Sequence, residues 1–453
     1  MSELLGSGLP WWGWMLLGVG VISIVAVFAA LFLPDWHQPE RLETPLESPA
    51  DSEAFLHGVA AHLNVPVARG GEATLLQNGD EFFPAMLEAI RSARETVNFQ
   101  VYIFEPEGIG REFLQAFEER ARAGVEVRLM VDAFGSHKLD EETRRSLTAA
   151  GCRVTRFRPI RLTTLVRAFK RDHRRAIVVD GRVGFTGGGA IADKWTGNAQ
   201  DEHHWRDSMT RFEGPLATCV QAAFVENWIY GTGEVLTGPR FFPYAGGAPG
   251  SRVQASAPSS SPAPDRGGAE LPAAFGVVSS PSDAAQPIRT LYWLSFQAAR
   301  RRIMISSSYF VPGRRVREAV MERARAGVEA RILVPGPNTD AKPVRLAGRT
   351  LYGELLEAGV RIFEYEPTMM HAKTVVIDGT WCIVGSSNMD ERSTELNEEN
   401  NVAVRDARLA AQIESGLLAD MEQAREIRLE EWLRRSRVER VQERLALALI
   451  QQY

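Results

Sequence analysis

The 453-residue chain is 45% hydrophobic, which is enough apolar content for two similar domains with an anchor, linkers and a tail. Its 52 Lys and Arg nearly balance its 57 Asp and Glu, so no overall positive field favours nucleic acid as a partner. Cys152, Cys219 and Cys382 lie far apart without metal-ligand spacing, and we expect small core residues in a reducing compartment.

An uncharged run covers residues 11–33 and begins with three closely spaced tryptophans. A helix rising about 1.5 Å per residue would cross a hydrocarbon core of about 30 Å over this length. No Lys or Arg precedes the run and no clear small-residue cleavage site follows it, which favours an uncleaved transmembrane anchor over a signal peptide or a buried helix. Because Arg41 follows the run, the positive-inside rule places the C-terminal part in the cytoplasm.

Beyond a polar connector the sequence predicts alternating helices and strands, which is typical of layered α/β domains. A segment at 246–268 is rich in Ala, Pro, Ser and Gly and predicts a linker. In the first half we predict helices at 81–94 and 109–123 and strands at 97–104, 125–131 and 175–179. In the second half we predict helices at 288–301, 316–326 and 351–358 and strands at 302–306, 330–334 and 374–377.

The two halves share landmarks in the same order. Residues 119–126 and 322–329 have the same sequence, and the Ala-Gly-x-Arg pattern at 150–154 returns at 358–362. With the histidine motifs described next, these matches predict a duplicated domain. The predicted organisation is a transmembrane anchor at 1–34, a connector at 35–71, a first domain at 72–243, a linker at 244–273, a second domain at 274–423 and an amphipathic C-terminal helix at 424–453.

Each half carries a histidine motif. The second copy is His371-Ala372-Lys373 with Asp378, and an altered first copy is His173-Arg174-Arg175 with Asp180. On a strand, alternation would place each histidine and the cation two residues later on one face. A single copy is more often a structural histidine, but two copies in a duplicated chain favour an active site.

Such a pair of half-sites suits phosphoryl transfer. One imidazole can attack phosphorus and the other can protonate the leaving alcohol, with the roles exchanged in a second step and no metal or other cofactor required. Small-residue turns follow both motifs, and their backbone N–H groups are expected to approach the same phosphate. The predicted phosphate-binding residues are Gly187, Gly188, Ser386, Ser387 and Asn388.

On these motifs the chain resembles the phospholipase D superfamily and, within it, the bacterial cardiolipin synthases. The narrower resemblance also rests on Tyr102-Ile103-Phe104-Glu105, Trp205-Arg206-Asp207, Gly214-Pro215, Ser308-Tyr309-Phe310-Val311-Pro312, Asn388-Met389-Asp390 and Arg392-Ser393. It implies two phospholipase D-like α/β/α sandwich domains with the active site between them, in a single-pass protein of the bacterial inner membrane.

The resemblance also implies an activity. A phosphatidyl group would pass through a phosphohistidine, joining two phosphatidylglycerols into cardiolipin and releasing glycerol. His173 would be the nucleophile and His371 the general acid and base. From their positions after each motif, Glu399 and Asp207 are expected to orient the imidazoles.

The first half departs from the family pattern, since Arg175 replaces a lysine and Ala190 an asparagine. A planar guanidinium is not equivalent to an ammonium at a phosphate site. Loss of an amide donor to an oxyanion typically costs about 2.7 to 4 kcal/mol of transition-state stabilisation. The activity is therefore expected to be slowed, retuned to another alcohol, or lost. A phosphodiesterase acting on phospholipid or, less favoured, nucleic acid remains an alternative, as does a lipid-binding pseudoenzyme.

Two further segments are relevant to lipid binding. Basic residues interleaved with apolar ones occupy 158–175, which suits either docking on anionic headgroups or a solvated loop. An amphipathic basic helix at 429–450 suits either the membrane interface or packing on the protein. The sequence leaves the acceptor alcohol and the oligomeric state open.

Overall fold

The structure is a computed structural model that describes residues 11–32, 48–159, 170–244, 271–281 and 286–450. The predicted linker at 246–268 and the centre of the basic segment lie outside these residues. The chain divides into two units, residues 1–47 and residues 48–453.

The first unit contains one helix, α1 (Trp11–Phe32), formed by the uncharged run. Counting only the residues that the structure describes, no helix is both long enough and apolar enough to cross a membrane. The transmembrane anchor therefore stays a prediction.

The second unit begins with α2 (Glu53–His62) and β1 (Ala68–Arg69), in a stretch predicted to be a polar connector. The first domain follows. Its elements are β2 (Glu72–Gln77), α3 (Asn78–Ser92), β3 (Thr96–Val101), α4 (Ile109–Arg122), β4 (Glu126–Asp132), α5 (Glu141–Ala149), β5 (Arg153–Phe157), β6 (Ala176–Val179), β7 (Val183–Gly187), β8 (Ser208–Glu213) and α6 (Ala217–Thr232).

The second domain has the same plan. Its elements are β9 (Ala273–Ser279), α7 (Pro287–Gln297), β10 (Arg302–Ser306), β11 (Phe310–Val311), α8 (Arg314–Arg325), β12 (Glu329–Pro335), α9 (Lys342–Arg349), α10 (Tyr352–Glu357), β13 (Arg361–Tyr365), β14 (Thr374–Ile377), β15 (Trp381–Gly385), β16 (Met389–Asp390), α11 (Glu391–Glu395), β17 (Glu399–Arg405), α12 (Ala407–Glu422), β18 (Ala424–Ile427), α13 (Leu429–Leu433) and α14 (Arg437–Ile450).

The sheet orders show the duplication. The first sheet runs β2-β8-β7-β6-β3-β4-β5, and the second contains β9-β17-β15-β14-β10-β12-β13 in the corresponding positions. In each sheet three neighbouring strands are parallel and the others antiparallel. The second sheet gains β1 and β18 at its edges, so parts of the predicted connector and of the predicted C-terminal helix are strands of this domain.

Helices join the two domains. α6 of the first domain contacts β9 and β17 of the second, and α12 contacts β2 of the first. One apolar core runs through this junction and includes Met130 and Phe212 from the first sheet and Val376 and Val404 from the second. The two sheets are thereby fixed relative to each other, which holds the two histidine motifs in one place.

All eleven predicted elements are present with the predicted type, but the histidine motifs are not in strands. β6 begins at Ala176 and β14 at Thr374, after each His-x-cation tripeptide. The reason is that the histidine segments pair with the opposite domain: His173 N–H donates to Glu398 O at 2.9 Å, and His371 N–H donates to Arg206 O at 2.6 Å.

Candidate active site

Both histidines line one cavity of ≈ 280 Å³ between the two domains. The first domain contributes Tyr102, Ile103, Arg171, His173, Arg175, Lys194, Trp195 and Trp205 to its wall. The second contributes Tyr309, Asp340, His371, Asn388, Asp390, Arg392, Ser393 and Asn397.

Each histidine is held by a carboxylate from the other domain. His173 Nδ1 lies 2.9 Å from Glu399 Oε1, and His371 Nδ1 lies 2.8 Å from Asp207 Oδ2. An ionised carboxylate only accepts, so with Glu399 and Asp207 ionised each Nδ1 carries the proton and each Nε2 keeps its lone pair for chemistry. The structure thus pairs the two predicted orienting residues with the histidines in a crossed arrangement.

Each carboxylate is supported differently. Glu399 Oε2 accepts a hydrogen bond from the Ser386 hydroxyl. Asp207 Oδ2 accepts one from Trp195 Nε1 at 2.8 Å. The residue of the first turn that corresponds to Ser386 is Gly188, where an added Cβ would lie 2.1 Å from Asp207 Oδ1. The glycine is therefore required by the close approach of Asp207, which is supported by Trp195 and by the Ser208 backbone N–H, a donor to Oδ1 at 2.7 Å.

The cations of the two motifs also differ. Lys373 Nζ donates to Ser308 Oγ at 2.7 Å and to His371 O at 2.8 Å, and it lies 3.3 Å from His371 Nε2. The guanidinium of Arg175 donates from Nη1 to His173 O at 2.6 Å. Within the described residues its buried Nε has no hydrogen-bond partner, so the guanidinium can still donate a hydrogen bond to a phosphate oxygen.

Burial keeps both imidazoles neutral. Burial, reinforced by the charge of Arg175, holds the pKa of His173 well below its usual range. Burial and the charge of Lys373 do the same to the pKa of His371. A neutral imidazole is the form that a nucleophile needs. An anionic phosphate in the cavity would raise the pKa of both groups, because it favours the protonated form.

The supporting charges also titrate near neutrality. Burial raises the pKa of Glu399 to about 7 and that of Asp207 to about 6. Burial lowers the pKa of Lys373 to about 7. The charges of Glu399, Asp207 and Lys373 are therefore sensitive to pH close to neutrality.

The predicted phosphate-binding turns lie at the ends of β7 and β15. Asn388 lines the cavity, and its buried Oδ1 has no partner among the described residues. The N–H groups of Gly188 and Ser386 donate to Ser208 O at 3.0 Å and Asn400 O at 2.9 Å. These two N–H groups already have acceptors within the protein, and phosphate binding by the turns stays a prediction. Gly187 pairs with Met209 in the sheet, and Ser387 N–H faces Asn401 Oδ1 at 3.4 Å.

The motif aspartates lie away from the cavity. Asp180 accepts hydrogen bonds from the backbone N–H groups of residues 94–96, at 2.8 to 2.9 Å. Asp378 accepts the equivalent bonds from residues 300–302. Both therefore fix the start of a neighbouring strand, and a catalytic role for them stays a prediction.

Ala190 occupies a different environment from its counterpart Asn388. Its side chain is 1% exposed and belongs to the apolar core of the first domain. The first half therefore has no amide at this point of the cavity wall.

Several cavity residues were missing from the sequence-based site. Trp195, Trp205 and Tyr309 have ring centroids 5.4, 5.5 and 6.3 Å from that of His371. Lys194 Nζ lies 4.1 Å from the Trp205 centroid, a cation–π contact. Trp205 and Tyr309 belong to segments that carried the family resemblance, whereas Lys194 and Trp195 gave no recognisable signal.

The fold is a pair of duplicated α/β domains that share one cavity, with one histidine from each domain in its wall. The family described as "Cardiolipin synthase, PLD-like domain" matches residues 86–217 and 295–421, one stretch in each domain. The chain belongs to this phospholipase D-like cardiolipin synthase family, which confirms the resemblance seen in the sequence.

Individual relatives agree. A cardiolipin synthase of Geobacillus thermodenitrificans (strain NG80-2) is 34% identical over 74% of this chain and 63% of its own length. A probable cardiolipin synthase of Bacillus subtilis (strain 168) is 30% identical over 85% of this chain and 73% of its own length. The chain thus spans less than two thirds of the Geobacillus relative.

A solved structure shows the same fold. The crystal structure of phosphatidylserine synthase from Haemophilus influenzae Rd KW20 matches 88% of this chain and 97% of its own chain, with a TM-score of 0.63. At 15% identity, this likeness shows the fold alone.

Proposed function

We propose that this protein transfers a phosphatidyl group from one phosphatidylglycerol to another, making cardiolipin and releasing glycerol. The observation that supports this most directly is the crossed pair of histidine–carboxylate contacts, His173–Glu399 and His371–Asp207, at one cavity. Family membership supports the substrate class, since the relatives above are named cardiolipin synthases.

In the first step His173 Nε2 attacks the phosphorus of one phosphatidylglycerol. The bound phosphate raises the pKa of His371, whose Nε2 takes up a proton from solvent before the reaction. The N–P bond then forms while the bond from phosphorus to the glycerol oxygen breaks, and His371 Nε2 gives this proton to that oxygen and becomes neutral. Glu399 stabilises the positive charge that develops on the His173 ring. Arg175 and Lys373 hold the non-bridging oxygens. Glycerol leaves and a phosphatidyl-histidine remains.

The second step reverses the first with a new alcohol. A glycerol hydroxyl of the second phosphatidylglycerol gives its proton to His371 and attacks phosphorus. The N–P bond breaks, His173 regains its lone pair, and cardiolipin forms. Asp207 holds His371 in the tautomer that accepts and returns this proton, so one residue serves both steps.

The experiment is lipid analysis of the purified chain incubated with phosphatidylglycerol, with the variant His173→Ala as the control. The proposal predicts cardiolipin and free glycerol in equal amounts. Phosphatidic acid in place of cardiolipin would indicate a phosphodiesterase that uses water. Binding of anionic lipid without either product would indicate a pseudoenzyme.

The proposed chemistry uses histidines and cations, so a chelator is expected to leave turnover unchanged. Within the described residues no group of three or more His, Cys, Asp or Glu is placed to hold a metal ion. Complete loss of activity with EDTA, restored by one divalent ion, would contradict the histidine mechanism. His203 and His204 would then need to be examined as ligands.

We also propose that residues 1–34 anchor the protein in the bacterial inner membrane, with the catalytic unit in the cytoplasm. The uncharged run that forms α1 supports this. Deletion up to Leu33 is expected to release much of the protein into the soluble fraction at high salt. Complete retention on membranes would contradict a single anchor.

A further inference from the structure

The C-terminal helix α14 is a fixed part of the second unit. It packs on α9, and it buries Glu443 and Ala446, which are 2% and 5% exposed. Glu443 accepts hydrogen bonds from Arg349 of α9 and from Arg435, both at 3.2 Å. Arg349 also donates to Glu364 of β13 at 2.6 Å. Because this buried ionic network fixes the helix, its outer face points in a defined direction.

That outer face is apolar. Val438, Val441 and Leu445 are 66%, 56% and 61% exposed, and their spacing of three and four residues places them on one side of the helix. We call these three residues the outer stripe. Their exposure is far above that of the side chains facing α9, so the helix has a second apolar surface besides the one that packs on the protein.

A row of arginines runs beside the outer stripe. Arg437, Arg440 and Arg444 are all exposed, and the 3.6-residue period places them together on one neighbouring flank. We call them the arginine row. The acids of α14 are already engaged: Glu439 accepts a hydrogen bond from the Ser436 backbone N–H at 2.8 Å, and Glu443 is buried. The outward surface therefore combines apolar side chains with positive charge.

We propose that the outer stripe and the arginine row dock on an anionic phospholipid bilayer. The stripe would enter the boundary between headgroups and acyl chains, and the arginines would reach lipid phosphates. A second copy of this chain fits the surface less well. Two such helices would bring two arginine rows together, and Glu439, the exposed carboxylate of each helix, lies on another side of the helix by the 3.6-residue period.

The position of this surface matters for the cavity. α9, on which α14 packs, begins two residues after Asp340, a residue of the cavity wall. α9 is also held against β11: a Cβ on Gly348 would lie 2.4 Å from Phe310 O. Docking would therefore keep the cavity one helix layer from the bilayer. This last step rests on the proposed lipid substrate, whereas docking itself does not.

Fluorescence of the full-length chain in vesicles tests the docking. The native cysteines are buried, so a single surface cysteine can be labelled with an environment-sensitive dye. Val438→Cys reports on the outer stripe, and Val235→Cys, at a site of equal exposure (65%), is the matched control. In vesicles containing phosphatidylglycerol, the label at 438 is expected to shift to the blue and to be quenched by brominated acyl chains several-fold more than the label at 235.

A second experiment tests whether docking depends on the charges of the arginine row and of the lipid. Vesicles of phosphatidylcholine alone, or the double variant Arg437→Gln with Arg444→Gln, are expected to abolish most of the extra quenching at 438. Equal quenching at 438 and 235 would overturn the proposal. So would a blue shift in lipid-free detergent that grows with protein concentration, because that would assign the surface to a second copy.

Turnover separates docking from chemistry. Val441→Asp with Leu445→Asp is expected to lower turnover of phosphatidylglycerol in vesicles several-fold and to leave turnover of a water-soluble short-chain phosphatidylglycerol unchanged. An equal loss on both substrates would mean that the substitutions act on the site and would contradict this role. If neither substrate is turned over by the parent chain, the proposed function fails while the quenching result still decides docking.

Discussion

The two half-sites share a plan but differ in how each carboxylate and each phosphate is held. Glu399 is supported by a serine of its own domain's turn, whereas Asp207 is supported by Trp195 because Gly188 leaves no hydroxyl. Lys373 donates to Ser308, whereas the Nε of Arg175 has no hydrogen-bond partner among the residues that the structure describes.

This difference suggests that the two half-sites have different roles in the reaction. The His173 half-site contains Arg175, whose Nε has no partner within the described part of the chain, which suits holding the phosphate while His173 attacks. The His371 half-site has a cation bonded within the protein and a wall of aromatic rings, which suits proton transfer to and from an alcohol. The two domains share one plan, and the replacements in the first half, Arg175 and Ala190, make the two half-sites unequal.

The largest expected effect comes from removing a histidine. His173→Ala should abolish both cardiolipin formation and the covalent intermediate, because no neighbouring group can replace the imidazole. His371→Ala should reduce turnover by several orders of magnitude, yet a phosphatidyl ester of a good leaving group should restore covalent labelling, since it needs no acid. Equal activity of His173→Ala and the parent chain would refute the assignment.

The crossed contacts predict crossed effects of the carboxylates. Glu399→Gln should slow formation of the covalent intermediate whatever the leaving group, by about 10² to 10⁴-fold, the range typical of proton-transfer groups. Asp207→Asn should cost as much with phosphatidylglycerol but recover with a good leaving group. Single-turnover kinetics with both substrates checks this. If Glu399→Gln is the variant that recovers, the roles of the half-sites are reversed.

The pH dependence of kcat/KM should reflect the titration of one group from each motif's site, Glu399 beside His173 and Lys373 beside His371. Below a pKa of about 7, Glu399 becomes protonated and no longer accepts from His173, so kcat/KM falls as the pH decreases. Lys373, with a pKa of about 7, loses its charge as the pH rises, so kcat/KM also falls on the alkaline side. Lys373→Arg should remove the alkaline fall and keep the acid one. If kcat/KM of Lys373→Arg still fell on the alkaline side, the role given to Lys373 would be contradicted.

Restoring the family residues should not improve the enzyme. Arg175→Lys removes a guanidinium fork that can hold phosphate, and a charge-assisted hydrogen bond is worth about 1.5 to 3 kcal/mol, so kcat/KM should fall by about 10- to 100-fold. Ala190→Asn places an amide in the apolar core and should lower the unfolding free energy by about 1 to 3 kcal/mol without raising turnover. A faster double variant would show that the replacements only weakened the site.

Much of this could be predicted from the sequence. The repeats at 119–126 and 322–329 lie at the same point of each domain, where α4 and α8 end and β4 and β12 begin. Strand and helix types followed from periodicity and caps, which are local properties. The roles of Asp180 and Asp378 could not be predicted, because a motif aspartate that binds backbone N–H groups has the same sequence signature as a catalytic one.

The crossed pairing needed the structure. Asp207 lies in the first domain, and its contact with His371 exists only because the helices between the sheets fix the domains together. The strand assignment of the histidine motifs also failed for a long-range reason, since each motif pairs with a segment of the other domain. Periodicity within one segment carries no information about such partners.

Mapping the trapped covalent intermediate shows directly which histidine is the nucleophile. The chain is incubated briefly with phosphatidylglycerol radiolabelled at phosphorus, denatured at alkaline pH to preserve the phosphohistidine, and digested. We expect the label on the peptide containing His173. With a phosphatidyl ester of a good leaving group as the substrate, this label should accumulate to a higher level in Asp207→Asn. Label on the peptide containing His371, or label that persists in His173→Ala, would contradict it.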